Sequence, residues 1–150
     1  VTPLVPSLQA LDSLSGIDSL CLWIRRDERP LRGLTSFVDW RVCGYLSRLL
    51  QSAHFSGEEE EALLLSLKEG LPCRRVFMLG LGEQREWTPE SVEQQLKKTQ
   101  KKLRLAGVSS LAMATPEAAP EEPWQKACAR HFAWASTFVL FRPMSALKGG

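Results

Sequence analysis

The chain has 150 residues, enough for one domain with a proper core, and its 44% hydrophobic and 24% charged residues are ordinary for a globular protein. A net charge of +2 lacks the clustered basic excess of a duplex-binding protein, so nucleic acid is not the expected partner. No apolar run approaches the roughly 18 residues that cross a bilayer, and the opening VTPLVPSLQA lacks the basic segment and apolar core of a signal peptide, so no membrane role is expected. Cys21, Cys43, Cys73 and Cys128 lie far apart in apolar surroundings, without paired spacing. They read as reduced thiols, and a cytoplasmic location is expected.

In chain order, residues 19–24 (SLCLWI) form a short apolar run closed by Arg25, Arg26 and Asp27, which suits a buried strand. DERPLRGL then reads as a loop, broken by Pro30 and Gly33. From Ser36 the pattern turns helical, with Val38, Val42, Tyr45, Leu46, Leu49 and Ala53 on one stripe. Gly44 inside this helix costs about 1 kcal/mol relative to alanine, so a close-packed neighbour is expected there. Propensity alone favours helix for residues 58–67, because glutamate, alanine and leucine are good helix formers.

Residues 76–81 read as a strand ending on Gly80-Leu81-Gly82. The clearest helix follows. Thr88 caps it, Pro89 takes its first position, and Val92, Leu96, Thr99, Leu103 and Ala106 form its inward stripe before Gly107. VSSLAMAT is a further strand, residues 116–123 an acidic, proline-rich loop, and residues 124–135 a helix. Periodicity leaves STFVLF open between strand and helix extension. Strands alternating with helices predict an α/β fold, a three-layer sandwich with a mixed, mostly parallel sheet, across a single domain of residues 1–150.

The series RRVFMLGLGE, TPESVEQQLKKTQKKLRLAG and VSSLAM resembles the amino-terminal domain of the M17 leucyl aminopeptidase family. Upstream, LDSLSGIDSLCLWI resembles the family's opening strand with its preceding aspartate, here Asp18. LRGLTSFVDWRVCGYLSRLL resembles its loop and first long helix, with Gly33, Asp39 and Gly44 in matching places. FSGEEEEALLLSL resembles a segment that the family folds as a strand. The resemblance therefore overrides propensity and makes residues 62–67 a strand. It implies a macro-domain-like fold and a noncatalytic role, because the family's two-metal catalytic signature lies in another domain and no such string occurs here. On this view neither a metal nor a cofactor is expected. It also leaves two alternatives: a macro-type module for a nucleotide or ADP-ribose, or the amino-terminal regulatory part of a dizinc aminopeptidase.

Four groups of residues are candidates for chemistry. Gly80, Leu81 and Gly82 could cradle an anion, although strand-end glycines more often serve a turn or a close backbone approach. In macro domains that bind ligand, an asparagine-rich segment follows the strand matching SLCLWI, whereas Arg25, Arg26 and Asp27 stand here. Lys97, Lys98, Lys101, Lys102 and Arg104 could face an acidic partner, or simply complement the dipole of their helix. Cys128 and His131 could share a helix face, and His54 and Cys73 could in principle join them, but nothing supplies the spacing of a zinc site. Trp40 falls beside its helix stripe and Trp87 just before a cap, so both are candidate partner contacts. A domain of this family standing alone must cover or use the face once turned to its catalytic neighbour. A protein partner or self-association is the expected role.

Overall fold

The structure, a computed structural model, describes residues 2–147. Its elements run α1 (Leu8–Asp12), β1 (Ser19–Arg25), α2 (Gly33–Arg41), α3 (Tyr45–Gln51), β2 (Ala62–Ser66), β3 (Arg75–Gly82), α4 (Pro89–Leu105), β4 (Ser110–Ala114), α5 (Glu121–His131), β5 (Thr137–Phe141) and α6 (Met144–Leu147). The strands form one sheet in the order β2-β3-β1-β4-β5. β1 pairs in parallel with β3 and β4, and β4 with β5, while β2 runs antiparallel to β3 at the edge.

β1 is buried along its whole length, so it reads as an unbroken apolar run. Its alternate side chains face two cores. Leu20, Leu22 and Ile24 join Leu11, Leu34, Val38, Leu46, Val76 and Met78 beneath α1, α2 and α3. Cys21 and Trp23 join Phe77, Leu79, Leu96, Leu103, Trp124 and Phe132 beneath α4 and α5. The result is the three-layer α/β sandwich, with the mixed and mostly parallel sheet in the middle.

The helix expected from Ser36 to Ala53 is two helices. Cys43 and Gly44 both take left-handed backbone, φ 58° and 79°. The Gly44 amide closes on the Asp39 carbonyl at 2.8 Å and the Cys43 amide on the Trp40 carbonyl at 3.2 Å. This pair of reversed bonds terminates α2. The Asp39 carboxylate then accepts the Ser47 amide (3.1 Å) and hydroxyl (2.5 Å), fixing the start of α3. Gly44 is thus a hinge of conformation, not a point of close packing: an added Cβ would meet only the far end of Arg48, at 3.4 Å. Its stripe partner Val42 caps α2, and Ala53 lies past the end of α3.

Residues 62–66 form a strand, as the resemblance implied and propensity did not. The local reason is Glu61, whose carboxylate accepts the amides of Ser56, Gly57 and Glu58 and the Ser56 hydroxyl at 2.8–3.1 Å. That carboxylate closes a loop instead of lining a helix. α4 carries the expected cap, with reciprocal Thr88 and Ser91 bonds of 3.1 and 2.9 Å, but Ala106 stands exposed outside the stripe. α5 begins at Glu121, earlier than expected, and STFVLF resolves into β5.

Candidate functional site

In an open α/β sheet, ligands gather beyond the carboxyl ends of the strands, where the chain leaves two neighbouring strands in opposite directions. Here that point lies between β1, which leads toward β2 and β3, and β4, which leads toward β5. Trp23 and Arg25 from β1 meet Ala114, Thr115, Pro116 and Glu117 from the end of β4, and Glu28, Arg32 and Leu34 close the wall.

The crevice is filled by its own charges. Arg25 Nη1 donates to the Glu117 carbonyl at 2.7 Å, and Arg25 Nη2 lies 3.5 Å from Glu28 Oε1. Both side chains are about nine-tenths or more buried. The other Glu28 oxygen accepts the Arg32 amide at 3.2 Å. Burial pushes the Glu28 carboxyl above its ordinary value, against the pull of that amide and of the Arg25 charge. The remaining cavity is about 10 Å³, close to the least room that one water needs. A bound small molecule occupies roughly 300 Å³ or more.

Beside this plug, α2 and α6 frame an open hollow of about 580 Å³ lined by Arg32, Gly33, Ser36, Phe37, Glu117, Met144 and Ser145. The Glu117 carboxylate sits at its mouth, accepting the amides of Met144 (2.7 Å) and Ser145 (2.9 Å). Those two donors are therefore taken by the chain itself.

The Gly80-Leu81-Gly82 junction makes no anion cradle. The Gly80 amide donates to the Glu61 carbonyl and the Gly82 amide to the Gly57 carbonyl, each at 2.8 Å. Leu81 is buried. A Cβ on Gly80 would lie 1.9 Å from the Glu58 carbonyl oxygen, so this glycine is needed because the 57–59 loop crosses directly over the strand.

The candidate partner residues do not share one surface. Trp40 stands 71% exposed on α2, beside an open groove lined by Ser36, Asp39, Arg41, Cys43 and Gly44. Lys97, Lys98, Lys101, Lys102 and Arg104 lie on α4, across the sheet. Lys98 pairs with Glu60 at 2.8 Å, Lys102 reaches the Glu60 carbonyl at 3.4 Å, and Arg104 lies over the Trp134 ring. Lys97 and Lys101 are exposed. Trp87 is largely packed away. Its ring meets Trp124 edge-on at 5.3 Å, Trp124 meets Trp23 the same way at 5.5 Å, and Arg85 covers Trp87 from outside at 4.5 Å. Its position before the α4 cap serves packing against the core.

The cysteine and histidine candidates also separate. Cys73 and Cys128 are buried on opposite faces of the sheet. His131 pairs with Glu93, and His54 with Ser52. Among the described residues no group of three or more His, Cys, Asp or Glu side chains gathers as metal ligands would.

Sequence reasoning missed Glu28 and Glu117, which look like solvated loop acids. Only the odd Arg25-Arg26-Asp27 sequence after β1 hinted that this crevice differs.

Residues 22–136 match the model of the cytosol aminopeptidase family, N-terminal domain. A probable cytosol aminopeptidase of Nitrosococcus oceani is 27% identical over 124 residues, 83% of this chain and 25% of that one. The chain thus spans about a quarter of that relative's length. A tomato leucine aminopeptidase mutant superposes with a TM-score of 0.63 at 14% identity, over 93% of this chain and 33% of that one. The macrodomain of Thermus aquaticus DarG superposes with a TM-score of 0.64 at 10% identity, over 93% and 96%. These two likenesses establish a shared macrodomain-like fold. Matched over most of its length by the family's own model, the chain belongs to the cytosol aminopeptidase family, whose N-terminal domain it carries.

Proposed function

We propose that this domain is a noncatalytic module for protein–protein interaction or assembly, working in the cytoplasm. The observation that carries the reading is Trp40. A large aromatic ring left 71% exposed, beside an open groove, is what a binding anchor looks like before its partner arrives. The other tryptophans are buried or partly buried, so this exposure is not a general looseness of the aromatic residues. The filled crevice between β1 and β4 supports the same reading, because the usual ligand position of such a sheet is taken by Arg25 and Glu28. Affinity capture from an extract, with wild type and Trp40→Ala immobilised in parallel, tests it. A protein retained by wild type and lost with the variant supports the role, and equal recovery on both counts against it.

One observation favours a second reading, a macro-type module for ADP-ribose or a related nucleotide. The hollow between α2 and α6 has the volume for a ligand, and Glu117 holds two backbone amides that a phosphate could take in its place. Calorimetric titration with ADP-ribose decides between them. Heat that disappears in Gly33→Trp would favour this second reading, and no heat at millimolar ligand would leave the first. A regulatory role within a dizinc aminopeptidase remains the third reading, carried by the Nitrosococcus oceani relative.

A further inference from the structure

The buried pair that fills the crevice between β1 and β4 is short of hydrogen bonds. A guanidinium and a carboxylate each offer several bonding positions, and buried charges hold together well only when those positions are filled. Among the described residues, the Arg25 side chain makes one hydrogen bond, from Nη1 to the Glu117 carbonyl. Its Nη2 stands 3.5 Å from Glu28 Oε1, and its Nε lies 3.9 Å from Asp27 Oδ1, too far for good direct bonds. The Glu28 carboxylate accepts the Arg32 amide at 3.2 Å and no other donor among the described residues.

The small cavity beside the pair gathers further polar atoms of this kind. Three of the residues lining it carry a buried polar atom with no partner among the described residues: Arg25 Nε, Thr115 Oγ1 and Trp23 Nε1. These residues are 8%, 2% and 4% exposed, so bulk solvent does not satisfy them. A polar contact stretched to 3.5 Å or beyond, next to such a cavity, is the usual setting of a bridging water.

Charge and size select the occupant. An anion would face the Glu28 carboxylate and a metal cation the Arg25 guanidinium, both nearly out of water, where like charges repel most strongly. A neutral molecule that both donates and accepts suits the two walls together. A cavity of about 10 Å³ has room for one water and for nothing larger.

We infer that this cavity is a binding site for one internal water, which makes Arg25 and Glu28 a water-mediated pair. The water accepts from Arg25 Nε–H and donates to Thr115 Oγ1 and to the Glu28 carboxylate. It joins β1 to the end of β4 alongside the direct Arg25–Glu117 bond, whichever partner the outer surfaces take.

Two measurements on the full chain test it. In a high-resolution crystal structure grown with bromide, one ordered water is expected within about 3.2 Å of both Arg25 Nε and Thr115 Oγ1. Absence of density there, or an anomalous bromide peak in its place, overturns the inference. In solution, oxygen-17 relaxation dispersion counts long-lived waters. Arg25→Met/Glu28→Leu, which makes the walls apolar, should hold one fewer than wild type. Thr115→Val, which keeps the shape and removes one partner, should shorten the water's stay roughly fivefold or release it. Circular dichroism checks that each variant folds. Equal dispersion from wild type and a folded form of either variant overturns the inference.

Discussion

Arg25 and Glu117 are joined across 92 residues of chain by a 2.7 Å hydrogen bond from guanidinium to backbone carbonyl, which ties the end of β1 to the loop after β4. Glu28 completes the plug at 3.5 Å. Removing one partner of a buried pair strands the other charge, which costs about 3 kcal/mol or more, whereas replacing both by apolar groups is often neutral. Urea denaturation should therefore show Arg25→Ala strongly destabilised and Arg25→Met/Glu28→Leu close to wild type. Because burial holds the Glu28 carboxyl above its ordinary value, its effect favours folding fully below that ordinary value and is lost as pH rises through the raised value of the folded state. Arg25→Ala should lose most stability at neutral pH and regain part of it as pH falls and Glu28 takes up a proton; a loss independent of pH would contradict this account.

Asp18 behaves in the opposite sense. It is partly buried, which pushes its carboxyl up, but hydrogen bonds from Ser109, Ser19 and Ser110 outweigh burial and hold it below its ordinary value of 3.8. The bonds are 2.6–3.0 Å long and tie β1 to the start of β4. A depressed carboxylate stabilises the fold above its unfolded value and loses that contribution as pH falls. Asp18→Asn should cost about 2 kcal/mol at pH 7. In chemical denaturation, the gap from wild type should narrow as pH drops below 4. A constant gap would contradict the assignment.

The four thiols should divide cleanly. Burial pushes Cys21 and Cys128 far up and Cys73 to about 11, so none of the three forms appreciable thiolate near neutrality. Cys43 is exposed at the bend between α2 and α3. A thiol-reactive dye at pH 7.5 should label Cys43 within minutes and the others only after unfolding. Mass spectrometry of native labelled protein should show a single adduct; two or more would mean that the cores open readily.

Two glycines separate steric need from conformational need. Gly80→Ala places a methyl 1.9 Å from the Glu58 carbonyl oxygen, which forces backbone to move and should cost about 2 kcal/mol or more. Gly44→Ala meets only a flexible arginine and should cost about 1 kcal/mol, from its left-handed φ alone. Thermal denaturation of both variants checks the order, and the reverse order would refute it.

The layers of the fold were legible because each buried strand is a short apolar run and α4 carries both its cap and its stripe. What stayed hidden lay in contacts that neither propensity nor periodicity registers, some only a few residues apart and some far apart in sequence. Glu61 looked like a helix former until its carboxylate met the Ser56–Glu58 amides. Gly44 looked like a packing site because nothing local announces that Cys43 will also turn left-handed. The candidate surface was half legible. Trp40, beside the stripe of α2, emerged exposed, while Trp87 was claimed by Trp124, more than thirty residues away.

The most direct test of a surface role is photo-crosslinking in cells, with a benzophenone amino acid placed at Trp40 in one strain and at Lys126, on the exposed face of α5, in another. Illumination should give a discrete higher-mass adduct from position 40 and none from position 126. No adduct from position 40, or the same smear from both, would contradict an interaction role for this face.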